Sequence, residues 1–371
     1  MRFKDYIWAI YLIVFPFYAF ESGNPQIADA FGAILIFGHI SEILKNIKTN
    51  RFTKSLFLFV VYTFIVNAVW MLILGEFEII KNSIFYFYSF LMVLFLVGKI
   101  EDVSFLKFTF KAITVALILQ LVLWPFVESE GVRNQMFFNN PNQLGLWALC
   151  LLIITSVITE IIKPKLLHSL IPLIIASFLI IISASRAALA GCLLFWMFYI
   201  IKSRKYLILF ITIVVIGSIF IGYNYDLNLS NFTALEYNIE RLQSESISSN
   251  RSLGGRGYDR IVNYPQYLFF GAGEGLYERF NETIELHSIF ANVLFSYGII
   301  GFSMFIFAFS SLLKNKLTKI VIILFLALAV FAMVHMSLRV PFFWMTCLFI
   351  VYLHKYKNNL DIDNREFLTH P

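Results

Sequence analysis

Apolar positions in this chain fall in long uninterrupted runs, not in alternation and not in single helical stripes. Ser55–Gly75 and Ser288–Leu313 reach or exceed the roughly 20 residues an α-helix needs to cross a hydrocarbon core of about 30 Å. In lipid every backbone N–H and C=O must be paired within its own segment, so these runs are expected to be helices. A transmembrane β-barrel would need apolar and polar positions alternating with period two, which the runs lack. The pattern predicts an all-α polytopic transmembrane bundle of twelve spans, at 6–21, 26–42, 55–75, 79–98, 108–127, 141–162, 166–184, 187–201, 206–223, 288–313, 319–338 and 340–354. The first two and the last are short enough to tilt, to pair or to be partly re-entrant. No internal repeat of fixed period is visible, and residues 1–371 read as a single integral membrane domain.

Composition agrees: 59% of residues are apolar and 14% charged, with a mean hydropathy of +0.78, whereas soluble domains run nearer a quarter charged. Basic residues collect on alternate loops, as in Lys45/Lys48/Arg51/Lys54, Lys163/Lys165 and Lys314/Lys316/Lys319, while the intervening loops carry Glu21, Glu76, Glu78 and Glu128. By the positive-inside rule both termini are cytoplasmic. The net charge of +6 is largely this topological signal and gives no reason to invoke nucleic acid. The basic start Met1–Lys4 runs into apolar sequence without a small-residue cleavage site, so it reads as a retained first span. Cys150, Cys192 and Cys347 all fall within apolar runs and read as packing residues.

One connection breaks the pattern. Residues 224–287 form a long polar loop on the outer side, and loops of that length usually carry function or are disordered. Outer-side basic residues are almost all arginine: Arg133, Arg186, Arg241, Arg251, Arg256, Arg260, Arg279 and Arg339, with Lys81 the only lysine. A planar guanidinium binds phosphate bidentately where an ammonium acts as a point charge. Simple pairing with loop acids is the alternative. Arg186, in Ser185-Arg186-Ala187-Ala188-Leu189-Ala190-Gly191, lies between two spans, where a charge usually faces a polar cavity or marks a site; the alternative is snorkelling to headgroups. Arg256 and Arg260 would share a face of any helix that starts near Arg256, with salt bridging the competing explanation.

Gly271-Ala272-Gly273-Glu274-Gly275 allows a tight turn or a close approach to a ligand, without the strand–turn–helix setting of a nucleotide site. Glu285-Leu286-His287-Ser288 opens the tenth span. His287 and Glu285 there are candidates for acid–base work near neutral pH, against a plain helix-start hydrogen bond. His335 and Arg339, four apart, read as a structural pair.

In this order and sidedness, Phe138-Asn139-Asn140-Pro141-Asn142, the Arg186 motif, Gly255-Arg256-Gly257-Tyr258-Asp259-Arg260-Ile261, the glycine turn, and Glu285-Leu286-His287-Ser288 before Tyr297-Gly298-Ile299-Ile300-Gly301 resemble the O-antigen polymerase/O-antigen ligase superfamily. That resemblance implies a C-type membrane glycosyltransferase, free of metal and other cofactors, acting at the periplasmic face of the bacterial inner membrane. Its donor and acceptor would be undecaprenyl-diphosphate-linked oligosaccharides, and a chain-length regulator is a possible partner. Carried over, Arg186 and Arg256 or Arg260 hold the diphosphate and His287 takes part at the reaction centre; the chemistry also asks for a base near the acceptor hydroxyl, His287 or Glu285. Asn142 and Gly273 fall in the family's motifs as substrate-binding positions. Many members carry Asn after that histidine; here it is Ser288. A polymerase is favoured over a ligase acting on lipid A–core. A transporter of the same lipid-linked sugar is the reading from another class, and it would call for ionisable residues buried mid-span.

Overall fold

A computed structural model describes residues 3–127, 133–202, 257–282, 285–314, 317–353 and 356. Its helices are α1 (Phe3–Val14), α2 (Ile27–Gly38), α3 (Ile40–Asn46), α4 (Arg51–Leu74), α5 (Glu78–Val97), α6 (Val103–Leu123), α7 (Pro141–Ile162), α8 (Leu166–Ser183), α9 (Arg186–Lys202), the short α10 (Asp259–Asn263), α11 (Ile289–Leu313) and α12 (Lys319–Ala332), followed by α13 (Pro341–Leu353). Among the described residues there is no strand.

Among the described residues six helices, α4 to α8 and α11, are long and apolar enough to cross a membrane, or seven if the bent pair α2–α3 counts as one span. This corrects the expected twelve, and with it the twelve-span C-type bundle. The first run fails because α1 stops at Val14: Pro16 has no N–H to continue the ladder and disfavours helical geometry at Phe15. The second is bent by 79° at His39. The run at 319–338 loses its end to a turn, leaving 14 residues in α12, about 21 Å of helix. α9 and α13 are likewise short. The expected span at 206–223 and most of the long loop lie outside the described residues.

α7 is the central post, the most buried of the six long helices, packing against α6, α8, α9 and α12. It starts well: Asn140 caps it by accepting from the Gln143 N–H at 3.0 Å, and Pro141 occupies the first turn, where its missing N–H costs nothing. α4 packs on α5 and α11. Its other face carries Leu58, Ile65 and Leu72, 56%, 56% and 79% exposed, at the seven-residue spacing that makes one stripe. Large apolar side chains exposed in register need an apolar solvent. The protein is therefore a membrane-embedded helical bundle. All three cysteines are buried and unbridged, as their setting predicted.

The chain between α10 and α11 folds back into the bundle. Phe280, Leu286, Phe295 and Ala272 form a small separate core, with Tyr264 and Tyr267 against it. α11 is broken at Gly298, whose φ of 65° and ψ of −175° are not helical. The break frees carbonyls that the incoming loop uses. Ala272 N–H donates to Phe295 O at 3.0 Å, Gly273 N–H to Ser296 O at 2.8 Å, and Ile299 N–H to Leu268 O at 2.7 Å. A side chain on Gly271 (φ 102°) would lie 2.3 Å from the Ser296 carbonyl oxygen, and one on Gly298 2.3 Å from that of Phe269. Only glycine lets these two backbones touch. Non-helical backbone at this depth is tolerated where protein buries and pairs it.

Candidate functional site

A polar cavity of about 430 Å³ opens at the end of the bundle where α7, α11 and α13 begin. Its walls come from five separate stretches: the chain from Phe15 into the start of α2, Phe85 and Tyr88 of α5, the start of α7, the turn Glu285–His287, and the segment from Phe331 to Pro341 that joins α12 to α13. The loop before α2 is rigidly held. Gln26 accepts from the Ala19 and Phe20 N–H groups at 3.0 and 3.1 Å, and its amide donates back to the Phe20 and Asn24 carbonyls at 2.9 and 3.0 Å. Gln143 on α7 donates to Ser22 Oγ at 2.9 Å, and Asn139 to Phe20 O at 2.9 Å, so two distant segments form one wall.

His287 lines this cavity. Its Nδ1 lies 2.7 Å from the Glu285 carbonyl oxygen. A carbonyl can only accept, so Nδ1 carries the hydrogen, and in the neutral ring Nε2 keeps its lone pair. The ring sits 6.3 Å from that of His335, centroid to centroid. The next residue, Ser288, is the N-cap of α11, accepting from the Ala291 N–H, which gives it a structural role.

Glu285 also lines the cavity, but its carboxylate is engaged. Arg339 Nη2 donates to both of its oxygens, to Oε2 at 2.6 Å. Arg339 Nη1 donates to Asn82 Oδ1 at 2.9 Å, and Nε faces Glu274 Oε1 at 3.7 Å. Glu274 is completely buried. It accepts from the hydroxyls of Tyr86 and Tyr297 at 2.6 and 2.7 Å, while Asn67 and Asn82 pair with its backbone N–H and C=O at 3.0 Å each. Burial pushes the Glu274 carboxyl above the usual carboxylate range, opposed by Arg339. Burial pulls the Arg339 guanidinium down, but Glu285 and Glu274 outweigh it and hold it above its ordinary value. Tyr86 and Tyr297 lie eight residues inside α5 and α11, so the glycine turn reaches roughly 12 Å into the bundle.

Of the residues singled out in the sequence, His287, Glu285 and Asn142 line the cavity. Arg186 begins α9 at the same end, beside Ser185 and Ala188, which pack on Gly145 one turn along α7 from Asn142; it is not among the lining residues. Arg260 is 1% exposed, with Nη2 3.8 Å from Glu282 and its guanidinium over the Tyr277 ring. It belongs to the loop's own core and not to the cavity wall. Gly273 lies deep in the turn, where an added side chain would strike the Trp70 indole at 2.9 Å, so its role is packing. Arg256, with Arg241 and Arg251, lies outside the described residues. Arg279 lies over Trp70 and Phe280 and donates to the Ala272 and Gly273 carbonyls. Burial brings it down to about 10.

Sequence reasoning missed Arg339 as the clamp on Glu285, Glu274 as its buried partner, and the loop before α2 as a wall. A charged residue enclosed by glycines, as Glu274 is, was the available signal. Among the described residues no group of three or more His, Cys, Asp or Glu side chains could hold a metal ion. Set beside known protein families and curated proteins, the chain matches no family model and no curated protein.

Proposed function

We propose that this protein is a membrane glycosyltransferase that joins undecaprenyl-diphosphate-linked sugar repeats into a surface polysaccharide, an O-antigen polymerase or a close equivalent. One observation carries the reading. His287 and Glu285 from one motif and Asn142 from another, chosen on the sequence alone, line one polar cavity at one end of an apolar helix bundle.

In the reaction, an acceptor sugar hydroxyl attacks the anomeric carbon of the donor. The bond from that carbon to the diphosphate oxygen breaks, the lipid diphosphate leaves with the electron pair, and the hydroxyl proton passes to a base. His287 Nε2 suits that role, because the Glu285 carbonyl fixes its tautomer. Clamped by Arg339, Glu285 acts as a positioning residue here. Charge developing on the diphosphate needs preorganised donors, and Arg186, at the same end of the bundle, is the described arginine we assign to it. The cavity then faces the periplasm, the termini the cytoplasm, and a chain-length regulator is a fitting partner.

The test is purified protein given a defined lipid-linked repeat. Wild type should build a ladder of products, and His287→Ala should slow it by about 10²–10⁴-fold while eluting as a folded protein. Normal ladders from that variant would remove His287 from the reaction. In cells, loss of the gene should leave single repeats on lipid A–core; unattached long chains on the carrier would mean a ligase.

A further inference from the structure

The cavity contains three asparagines whose orientations are fixed by their partners. Asn24 Oδ1 accepts from Lys81 Nζ at 2.8 Å, Asn140 Oδ1 from the Gln143 N–H at 3.0 Å, and Asn142 Oδ1 from Arg133 Nη2 at 3.0 Å. An ammonium, a backbone N–H and a guanidinium can only donate. None of the three amides can therefore be flipped, and each commits its oxygen to the protein and keeps its NH₂ group. Among the described residues no protein acceptor is paired with any of these NH₂ groups, and all three residues line the cavity. Two of the partners are cations, which polarise the amides and strengthen the outward N–H groups as donors.

The same cavity holds acceptors as well. His287 Nε2 is one. Asp29 is another: its Oδ2 accepts from the Gln26 N–H at 2.7 Å, and among the described residues it makes no ion pair. The remaining charges are Glu285 and Arg339, which neutralise each other. Phe15, Tyr18 and Phe85 add apolar surface. An inorganic anion would satisfy the amide donors but would meet the Asp29 carboxylate, which the Gln26 N–H and the Tyr88 hydroxyl hydrogen-bond but which no cation neutralises among the described residues. A neutral polyhydroxyl ring satisfies both sets, since its oxygens accept from amides and its hydroxyls donate to carboxylate and imidazole.

We propose that this cavity is a carbohydrate subsite, with Asn24, Asn140 and Asn142 as its donors and Asp29 as the acceptor that orients the sugar hydroxyls. On the glycosyl-transfer reading, on which only this last step rests, the sugar held here is the acceptor, its nucleophilic hydroxyl facing His287.

Asn→Asp variants provide the test, because aspartate preserves each oxygen's existing partner and replaces the NH₂ donor with a charged acceptor oxygen. The full chain, purified in detergent, is titrated with methyl galactoside, methyl N-acetylglucosaminide and inorganic pyrophosphate by saturation-transfer NMR. Wild type should bind at least one glycoside. N140D, N142D and N24D should each weaken it severalfold, the double variants at least tenfold, with thermal midpoints unchanged. D29N, which keeps the contact to Gln26, should weaken it similarly. Unchanged glycoside binding in the Asn→Asp variants, no glycoside binding by wild type, or binding of pyrophosphate alone would each overturn the proposal. Because no turnover is required, glycoside binding by a protein inactive on the lipid-linked repeat would sink the transferase reading and leave the subsite standing.

Discussion

Two polar regions meet at Glu285, and they differ in what they leave uncommitted. In the turn Gly271–Gly275 most polar atoms are taken up by protein: Glu274 Oε2 by two tyrosines, its backbone by two asparagines, and Arg279 Nη2 by two carbonyls, leaving Glu274 Oε1 with only the 3.7 Å ionic contact to Arg339. In the cavity wall, three amides and an imidazole each use one end on the protein and keep the other. Buried polar groups that are fully paired specify a structure, whereas uncommitted ones lining a cavity await a ligand. Charge alone would have misled, because the arginines with the most partners are the least available to a substrate.

Substitutions can break this contrast. The largest effect is expected for Gly271→Ala, which drives a side chain to 2.3 Å from the Ser296 oxygen at a positive φ. It should cost about 3 kcal/mol or more, seen as loss of monodisperse protein on gel filtration; a wild-type profile would show that the turn is not locked. Glu274→Ala comes next. It strands two buried hydroxyls, while Arg339 keeps Glu285, so we expect about 2–3 kcal/mol as a lowered thermal midpoint, with turnover per folded molecule preserved. Smallest is Arg260→Lys, about 1 kcal/mol, again without loss of specific activity. Lost activity at unchanged stability would return Arg260 to the diphosphate.

Much of the helical framework was legible, because a run of apolar residues is a local property. The starts of α7 and α11 were legible as the edges of apolar runs at Pro141 and Ser288, where the structure shows Asn140 and Ser288 as the N-caps. The span count was not legible: runs that look continuous in composition are cut by Pro16 and by the bend at His39. Nor was the pairing of Glu274 with Tyr86, 188 positions away, or of Arg339 with Asn82, 257 away. Such contacts depend on how α5 and the turn pack, which no local pattern encodes. The burial of Arg260 was not legible for a related reason, since its partner Glu282 lies across a loop whose fold its own aromatic core decides.

The interruption at Gly298 has a mechanical consequence. A straight 25-residue rod anchored in lipid would transmit any change of bilayer thickness to its first residue, because a mismatched helix leans as a whole. Here the rod has a joint nine residues below Ile289, and the infolded loop is bolted across it, to Phe295 and Ser296 above and to Ile299 below. The loop thereby splints the joint, and the segment that follows His287 is held by protein contacts as well as by the helix below it.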